Sequence, residues 1–156
     1  MKKRINWKVL IISLILVYSV AIIGSLFTSP VTNSEWYESV KPSITPPNWI
    51  FPIVWNILFF LIALSLYFSW INTKNKLEKK AIIIIFSTNF ILNILWSILY
   101  FGLKSPFYAF IEIFFLWSSI VLMIYFTHKI NKKSSYLLIP YLLWVSFAII
   151  LNYFSF

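Results

Sequence analysis

The sequence predicts an all-α membrane protein: a bundle of five transmembrane helices with a long first loop that acts as a lid. Of its 156 residues, 61% are hydrophobic and 11% are charged, and the mean hydropathy is +0.87. Too little polar sequence remains to cover so much apolar surface in water. The length fits a single domain over residues 1–156.

Five apolar stretches are each long enough to cross a bilayer. Each holds about 19 to 22 residues, which as a helix spans roughly 28–33 Å, the thickness of the hydrocarbon layer. At this length, helices satisfy the backbone polar groups inside lipid. Pro52, Pro106 and Pro140 fall in the first turns of spans, where a missing N–H costs little. The predicted spans are residues 9–27, 50–70, 81–101, 106–127 and 136–156.

Positive charge is distributed unequally between the two ends of the predicted bundle. Lys41 and Lys104 fall at one end, and the positive-inside rule places that end outside the cell. The chain is therefore expected in the cell membrane, with a cytoplasmic N-terminus and an external C-terminus. Because topology accounts for the net charge of +9, we expect no nucleic-acid partner. The eleven positive residues at the cytoplasmic end are Lys2, Lys3, Arg4, Lys8, Lys74, Lys76, Lys79, Lys80, Lys129, Lys132 and Lys133.

Side chains suited to catalysis or metal binding are scarce. The sequence contains no cysteine, no aspartate and a single histidine, His128, which is interpreted as a solvated interfacial residue rather than a metal ligand. Glu112 lies about six residues into the fourth span without an intramembrane Lys or Arg partner. Either it forms a hydrogen bond to a neighbouring helix, or it has a ligand or proton role. No metal site is expected.

Two spans carry polar and aromatic residues along one face. Amides inside lipid are costly unless they have a partner, so both stripes should face the bundle interior. Contact between helices explains them without any ligand. The stripes are Asn89, Asn93, Trp96 and Tyr100 on the third span, and Tyr141, Trp144, Ala148 and Asn152 on the fifth.

Several of the eight tryptophans lie well inside spans rather than at their ends. An indole offers a flat face and an N–H donor, which suits a planar apolar ligand with a polar edge, although plain packing is the alternative. In the first span, Ala21-x-x-x-Ser25 and Gly24-x-x-x-Thr28 permit close helix approach, either within the bundle or in a homodimer. The interior tryptophans are Trp55, Trp96, Trp117 and Trp144.

Motifs spread along nearly the whole chain resemble those of one family. Trp36-Tyr37, Lys41-Pro42 and the run Pro46–Trp55 resemble the first-loop and second-helix motif of the TspO/MBR family, the tryptophan-rich sensory or translocator proteins, also called peripheral benzodiazepine receptors. Asn89-x-x-x-Asn93-x-x-Trp96 resembles the third-helix motif of this family. The run Pro140–Ala148, followed by Leu151-Asn152, resembles the fifth-helix motif.

The resemblance implies a five-helix bundle, usually dimeric, with a pocket under the first loop that binds porphyrins, haem and benzodiazepine-type drugs. By motif, Tyr37 and Pro46 would form the lid, and Glu112 stands where the family has an acidic residue. Trp55 and Trp144 match the tryptophans associated with the family's light-dependent porphyrin degradation. The pocket lining would be Trp55, Phe59, Asn93, Trp96, Trp144 and Ala148.

The chain departs from the family pattern at several positions. The spacing from Tyr37 to Lys41 is one residue short, and Ile44 stands where many members have Trp, which predicts a looser lid. Ala63 replaces a common Gly, and Asn89 a frequent Gln. The cholesterol motif of the family is incomplete, so no cholesterol binding is predicted.

The leading hypothesis is a binding protein. A tetrapyrrole such as protoporphyrin IX would lie between Trp55 and Trp144, with its propionates towards the first loop, where Lys41 or asparagine amides could meet them. The porphyrin is expected as a ligand, and no cofactor is required. The alternative is an enzyme that degrades protoporphyrin IX in light, with Trp55 and Trp144 as electron donors. Transport ranks last, because the sequence offers no inverted repeat.

Overall fold

The computed structural model describes residues 5–156, and all of its regular elements over that range are helices. Five segments are long and apolar enough to cross a membrane, which confirms the predicted five-helix membrane bundle. These segments are α1, α3, α4 with the π-helical turn that continues it, α5, and α6 together with α7. The elements are α1 (Trp7–Thr28), α2 (Glu35–Val40), α3 (Ile50–Asn72), α4 (Lys76–Ser97), a π-helical turn (Ile98–Gly102), α5 (Pro106–Ile130), α6 (Lys132–Tyr136) and α7 (Ile139–Tyr153).

Four helices begin at a residue whose side-chain oxygen accepts a hydrogen bond from a backbone N–H of the first turn. Asn6, Ser34, Asn75 and Asn131 cap α1, α2, α4 and α6 in this way. Such caps satisfy donors that have no partner within the helix. Proline occupies the first turn of α5 and of α7, as the sequence predicted.

The third and fifth spans differ from the continuous helices that the sequence predicted. The third begins at Lys76, because Asn75 caps it five residues before the apolar run, and it ends in a π-helical turn. The fifth is divided between α6 and α7. Pro140 has no N–H to donate, so an unbroken helix could not keep its full hydrogen-bond ladder across this point.

The bundle core forms where α5 packs against α4 and α7, and where α1 packs against α3 and α4. Gly24 of α1 is buried, and a Cβ added there would lie 3.4 Å from the Ser97 hydroxyl oxygen of α4. The small residues of α1 at this point therefore serve a contact inside the bundle. The homodimer role that the sequence left open for Gly24 is not the one its position allows.

A polar network joins α4 to α5 and α7 within the membrane-spanning region. Asn89 donates to the Ser119 hydroxyl (2.8 Å), Asn93 donates to the Tyr141 hydroxyl (3.1 Å), and that hydroxyl donates to Asn89 Oδ1 (3.3 Å). Nearer the other end, Trp96 donates to Asn152 Oδ1 (3.0 Å). The two predicted stripes thus face each other and supply one another's partners.

The first connection, residues 29–49, is built around α2. Tyr37 is buried and its ring lies 5.8 Å from that of Phe101, while Trp36 makes an edge contact with Tyr100 at 6.0 Å. Asn48 Nδ2 donates to the backbone carbonyl of Thr32 (3.1 Å), which ties the two ends of the connection together. This segment covers one end of the bundle.

The chain alternates between the two ends of the bundle as predicted, so Lys41 and Lys104 share the end that carries α2. Lys8 and the lysines of the second and fourth loops share the opposite end. The predicted cluster at that end also included Lys2, Lys3 and Arg4, which lie outside the described residues. The orientation relative to the cytoplasm stays a prediction.

We predict that Tyr141→Phe lowers the free energy of unfolding by about 1–2 kcal/mol, because Asn93 Nδ2 and Asn89 Oδ1 both lose a buried partner. Thermal unfolding in detergent, followed by circular dichroism, measures this change. Tyr108→Phe is the matched control, since Tyr108 is 62% exposed. Equal melting temperatures for the two variants would contradict the role given to the network.

Candidate functional site

A cavity of about 420 Å³ lies beneath the first connection, enclosed by four of the five membrane spans at their nearer ends and by one turn of α5. Its lining is mainly apolar, with hydroxyl and amide groups from α1 and the first connection at its rim. Pockets of 300–1,000 Å³ are typical of small-molecule sites. The side chains that line it are Val20, Ala21, Gly24, Ser25, Thr28, Ser29, Thr32, Asn33, Tyr37, Asn48, Trp49, Phe51, Pro52, Trp55, Phe59, Asn93, Trp96, Ser97, Phe101, Ile113, Leu116, Val145 and Ala148.

Trp55 forms a fixed aromatic wall of this cavity. Its ring stacks on Phe59 at 5.3 Å with an interplanar angle of 29°, and it meets the edge of Tyr141 at 6.2 Å. The indole N–H has no hydrogen-bond partner among residues 5–156. Trp55 therefore offers the cavity both a flat face and a free donor.

Trp96 and Asn93 also line the cavity, but their polar groups are already engaged. Trp96 donates its N–H to Asn152, and Asn93 donates its amide to Tyr141. The expectation that asparagine amides could meet a ligand's carboxylates finds no free donor at Asn93. Both residues present mainly their apolar surface to the cavity while holding the helices together.

Tyr37 closes the cavity from the first connection. Burial, reinforced by the neighbouring Tyr100 and Glu38, raises the pKa of the Tyr37 hydroxyl to about 12, so the hydroxyl keeps its proton at neutral pH. It makes no hydrogen bond within the part of the chain that the structure describes. With Trp55, it is a second donor available to a ligand.

Lys41, the predicted partner for propionates, does not line the cavity. Its ammonium pairs with Glu38 (2.8 Å) and lies 5.7 Å from the centre of the Tyr37 ring. The nearest positive charge is thus already neutralised and stands outside the cavity wall. A carboxylate reaching this point would compete with Glu38.

Six of the nine predicted site residues come together around the cavity: Tyr37, Trp55, Phe59, Asn93, Trp96 and Ala148. Pro46, Glu112 and Trp144 are not among the lining side chains. The lining face of α7 runs through Val145 and Ala148, and Trp144 lies about 100° round the helix from Val145. The Trp144 ring instead contacts Phe51 at 5.7 Å and Phe147 at 5.7 Å. The expected arrangement, with Trp55 and Trp144 as opposite walls, is therefore not the one the structure has.

Glu112 is 6% exposed, and neither carboxyl oxygen has a hydrogen-bond partner within residues 5–156. The interhelical hydrogen bond considered from the sequence is thus not formed. Ile113, the next residue, lines the cavity. Glu112 stands one residue from the cavity wall, on a neighbouring face of α5.

Sequence reasoning missed the contribution of α1 to the site. Six α1 or adjoining residues line the cavity with the spacing of a single helical face: Val20, Ala21, Gly24, Ser25, Thr28 and Ser29. The small-residue spacing was the available signal, and it was interpreted as helix contact. Small side chains here also leave room for the cavity itself.

Comparisons with known proteins agree with the resemblance in the motifs. The sequence matches the TspO/MBR family over residues 12–155. It is 40% identical over 146 residues to the tryptophan-rich protein TspO of Archaeoglobus fulgidus, covering 92% of each chain. The tryptophan-rich protein TspO of Chlorobaculum tepidum is 38% identical, over 98% of this chain and 96% of that protein. The translocator protein of Bos taurus is more distant, with 27% identity over 84% and 80% of the two chains. The chain therefore belongs to the TspO/MBR family of membrane proteins.

Proposed function

We propose that this protein binds a flat, largely apolar ligand of the tetrapyrrole class, with protoporphyrin IX as the ligand to test. The observation that supports the proposal is the aromatic cavity in which Trp55 presents an immobilised ring and a free N–H. Apolar ring faces favour such walls, and a polar edge favours the rim. Family membership is consistent with this chemistry.

The position of the ligand follows from the chemistry of the lining. The ring would lie against Trp55 and Phe59, with its acidic edge towards the polar rim near Tyr37. There the Tyr37 hydroxyl and the Trp55 N–H are the donors that remain free to meet carboxylate oxygens. The metal-free porphyrin is the appropriate probe, because the lining contains no His and so offers no imidazole to an iron.

Binding would serve porphyrin handling, stress regulation or transport in the membrane. Relatives are named as sensory and translocator proteins, and those names describe those proteins. For this chain we propose the common step, which is capture of the ligand from the bilayer. The first connection would then act as a lid, as the sequence suggested.

We predict that Trp55→Ala weakens protoporphyrin IX binding by about tenfold, because the stacked wall and its N–H are lost. Trp144→Phe should change the dissociation constant by less than about twofold, since Trp144 does not line the cavity. Titration followed by Soret absorbance gives both values without relying on tryptophan fluorescence.

Trp117→Phe is the matched control for this pair, because Trp117 is also half-buried but donates to Ser146 outside the cavity. A Trp144 variant that weakens binding as much as Trp55→Ala would mean that the cavity described here is not the ligand site.

We predict that Tyr37→Phe weakens binding roughly three- to tenfold through loss of a hydroxyl donor. Since the Tyr37 pKa is raised to about 12, ionisation of Tyr37 should not alter affinity between about pH 6 and pH 9. The dissociation constant of both proteins over this range measures the effect. Tyr136→Phe, at the opposite end of the bundle, should bind like the natural protein.

Light-dependent degradation is the second candidate function. It requires an electron donor close to the ligand, and Trp55 is the one of the two predicted tryptophans that lines the cavity. Nothing in the position of Trp144 favours this activity. We therefore place binding ahead of turnover.

We predict that illumination of the protoporphyrin IX complex leaves the porphyrin spectrum decaying no faster than that of free porphyrin in detergent. Absorbance recorded during illumination, under oxygen and under nitrogen, is the measurement. Faster decay in the complex that disappears in Trp55→Phe would establish the enzymatic alternative.

A further inference from the structure

Asn56 places an amide on the outer surface of α3, within a membrane span. It lies six residues after Ile50, about 9 Å along the helix, and its side chain is exposed. The hydroxyl of Tyr18 on α1 donates to Asn56 Oδ1 (2.8 Å) and to its backbone carbonyl (3.3 Å). The amide N–H groups of Asn56 have no partner among the described residues.

An unpartnered amide at this depth is costly. The hydrocarbon layer contains no water to accept its hydrogen bonds, and acyl tails offer no acceptor. The other amides in the spans illustrate the rule, since Asn89, Asn93 and Asn152 all donate to neighbouring groups. The acceptor for Asn56 must therefore come from outside the chain.

The surface around Asn56 has the spacing of a helix–helix contact. Ile53, Ile57 and Phe60 surround it at positions −3, +1 and +4, and they are 53%, 56% and 46% exposed. Together with Tyr18 they line a shallow groove of about 460 Å³ between α1 and α3. An apolar seam with one central amide is a pattern that fixes register between paired helices.

We propose that this seam is the contact with a second copy of the chain, arranged about a two-fold axis along the membrane normal. Such an axis brings identical residues face to face at the same depth. A primary amide is self-complementary, because it both donates and accepts. Asn56 donates to Oδ1 of Asn56 of the partner subunit and accepts in return, since Oδ1 keeps a second lone pair beside the Tyr18 bond.

Competing occupants and faces satisfy less of this chemistry. A lipid ester supplies acceptors only, and it lies at the interface rather than within the hydrocarbon. The small residues of α1 are not available, because Gly24 faces Ser97 inside the bundle. On α4, Ser87 and Thr88 are exposed, but each carries a single hydroxyl rather than a primary amide.

Disulfide trapping tests the interface in proteoliposomes, because the natural chain contains no cysteine. Ile53→Cys should form a covalent dimer on oxidation, visible on a non-reducing gel. Ile91→Cys on α4 (65% exposed before substitution) and Phe115→Cys on α5 (62%) are matched controls and should remain monomeric. Adding Asn56→Leu to Ile53→Cys should reduce the yield of dimer about tenfold.

Several outcomes would overturn the proposal. These are trapping at Ile91→Cys or Phe115→Cys instead of Ile53→Cys, or a yield at Ile53→Cys that Asn56→Leu leaves unchanged. Absence of trapping, with a lipid that co-purifies with the natural protein and is lost in Asn56→Leu, would assign the groove to that lipid. Circular dichroism and protoporphyrin binding verify that each variant is folded, because Asn56 does not line the cavity.

Discussion

The hydrogen bonds between α4 and its neighbours α5 and α7 determine the rest of this structure. In a bilayer, apolar side chains gain nothing by leaving lipid for protein, so polar contacts and close packing must fix the helices relative to one another. Asn89, Asn93 and Tyr141 form one closed set of partners, and Trp96 with Asn152 forms another. These contacts fix the spacing of the three helices, and that spacing leaves the cavity between them and α1.

The same rule explains why similar residues have different roles. Trp96 and Trp117 spend their indole N–H groups on Asn152 and Ser146, so they belong to the framework even where one of them lines the cavity. Trp55 keeps its N–H free while Phe59 and Tyr141 hold its ring. A ligand therefore meets an indole that is rigid without being saturated, which lowers the ordering cost of binding.

The sequence predicted those parts of the molecule that depend on local pattern. Span lengths, helix-breaking prolines and the inward direction of the two polar stripes follow from periodicity and from the absence of water in lipid. The π-helical turn at Ile98–Gly102 does not, because it depends on how Tyr100 and Phe101 pack beneath Trp36 and Tyr37. The position of Trp144 also escaped prediction. A stripe drawn at helical spacing is about 100° wide, and its edge residue can face either the cavity or the next helix.

Glu112 and Asn56 are two polar groups in membrane spans whose bonds the described chain leaves incomplete, and their surroundings separate their roles. Asn56 is exposed beside a groove, so a neighbour in the membrane can reach it. Glu112 is enclosed, and the next residue, Ile113, forms part of the cavity wall. A small rotation of α5 would bring the carboxyl group towards a ligand, whereas no such movement is needed for Asn56 to meet a second chain. The exposed amide therefore relates to assembly, and the enclosed carboxyl group relates to the cavity.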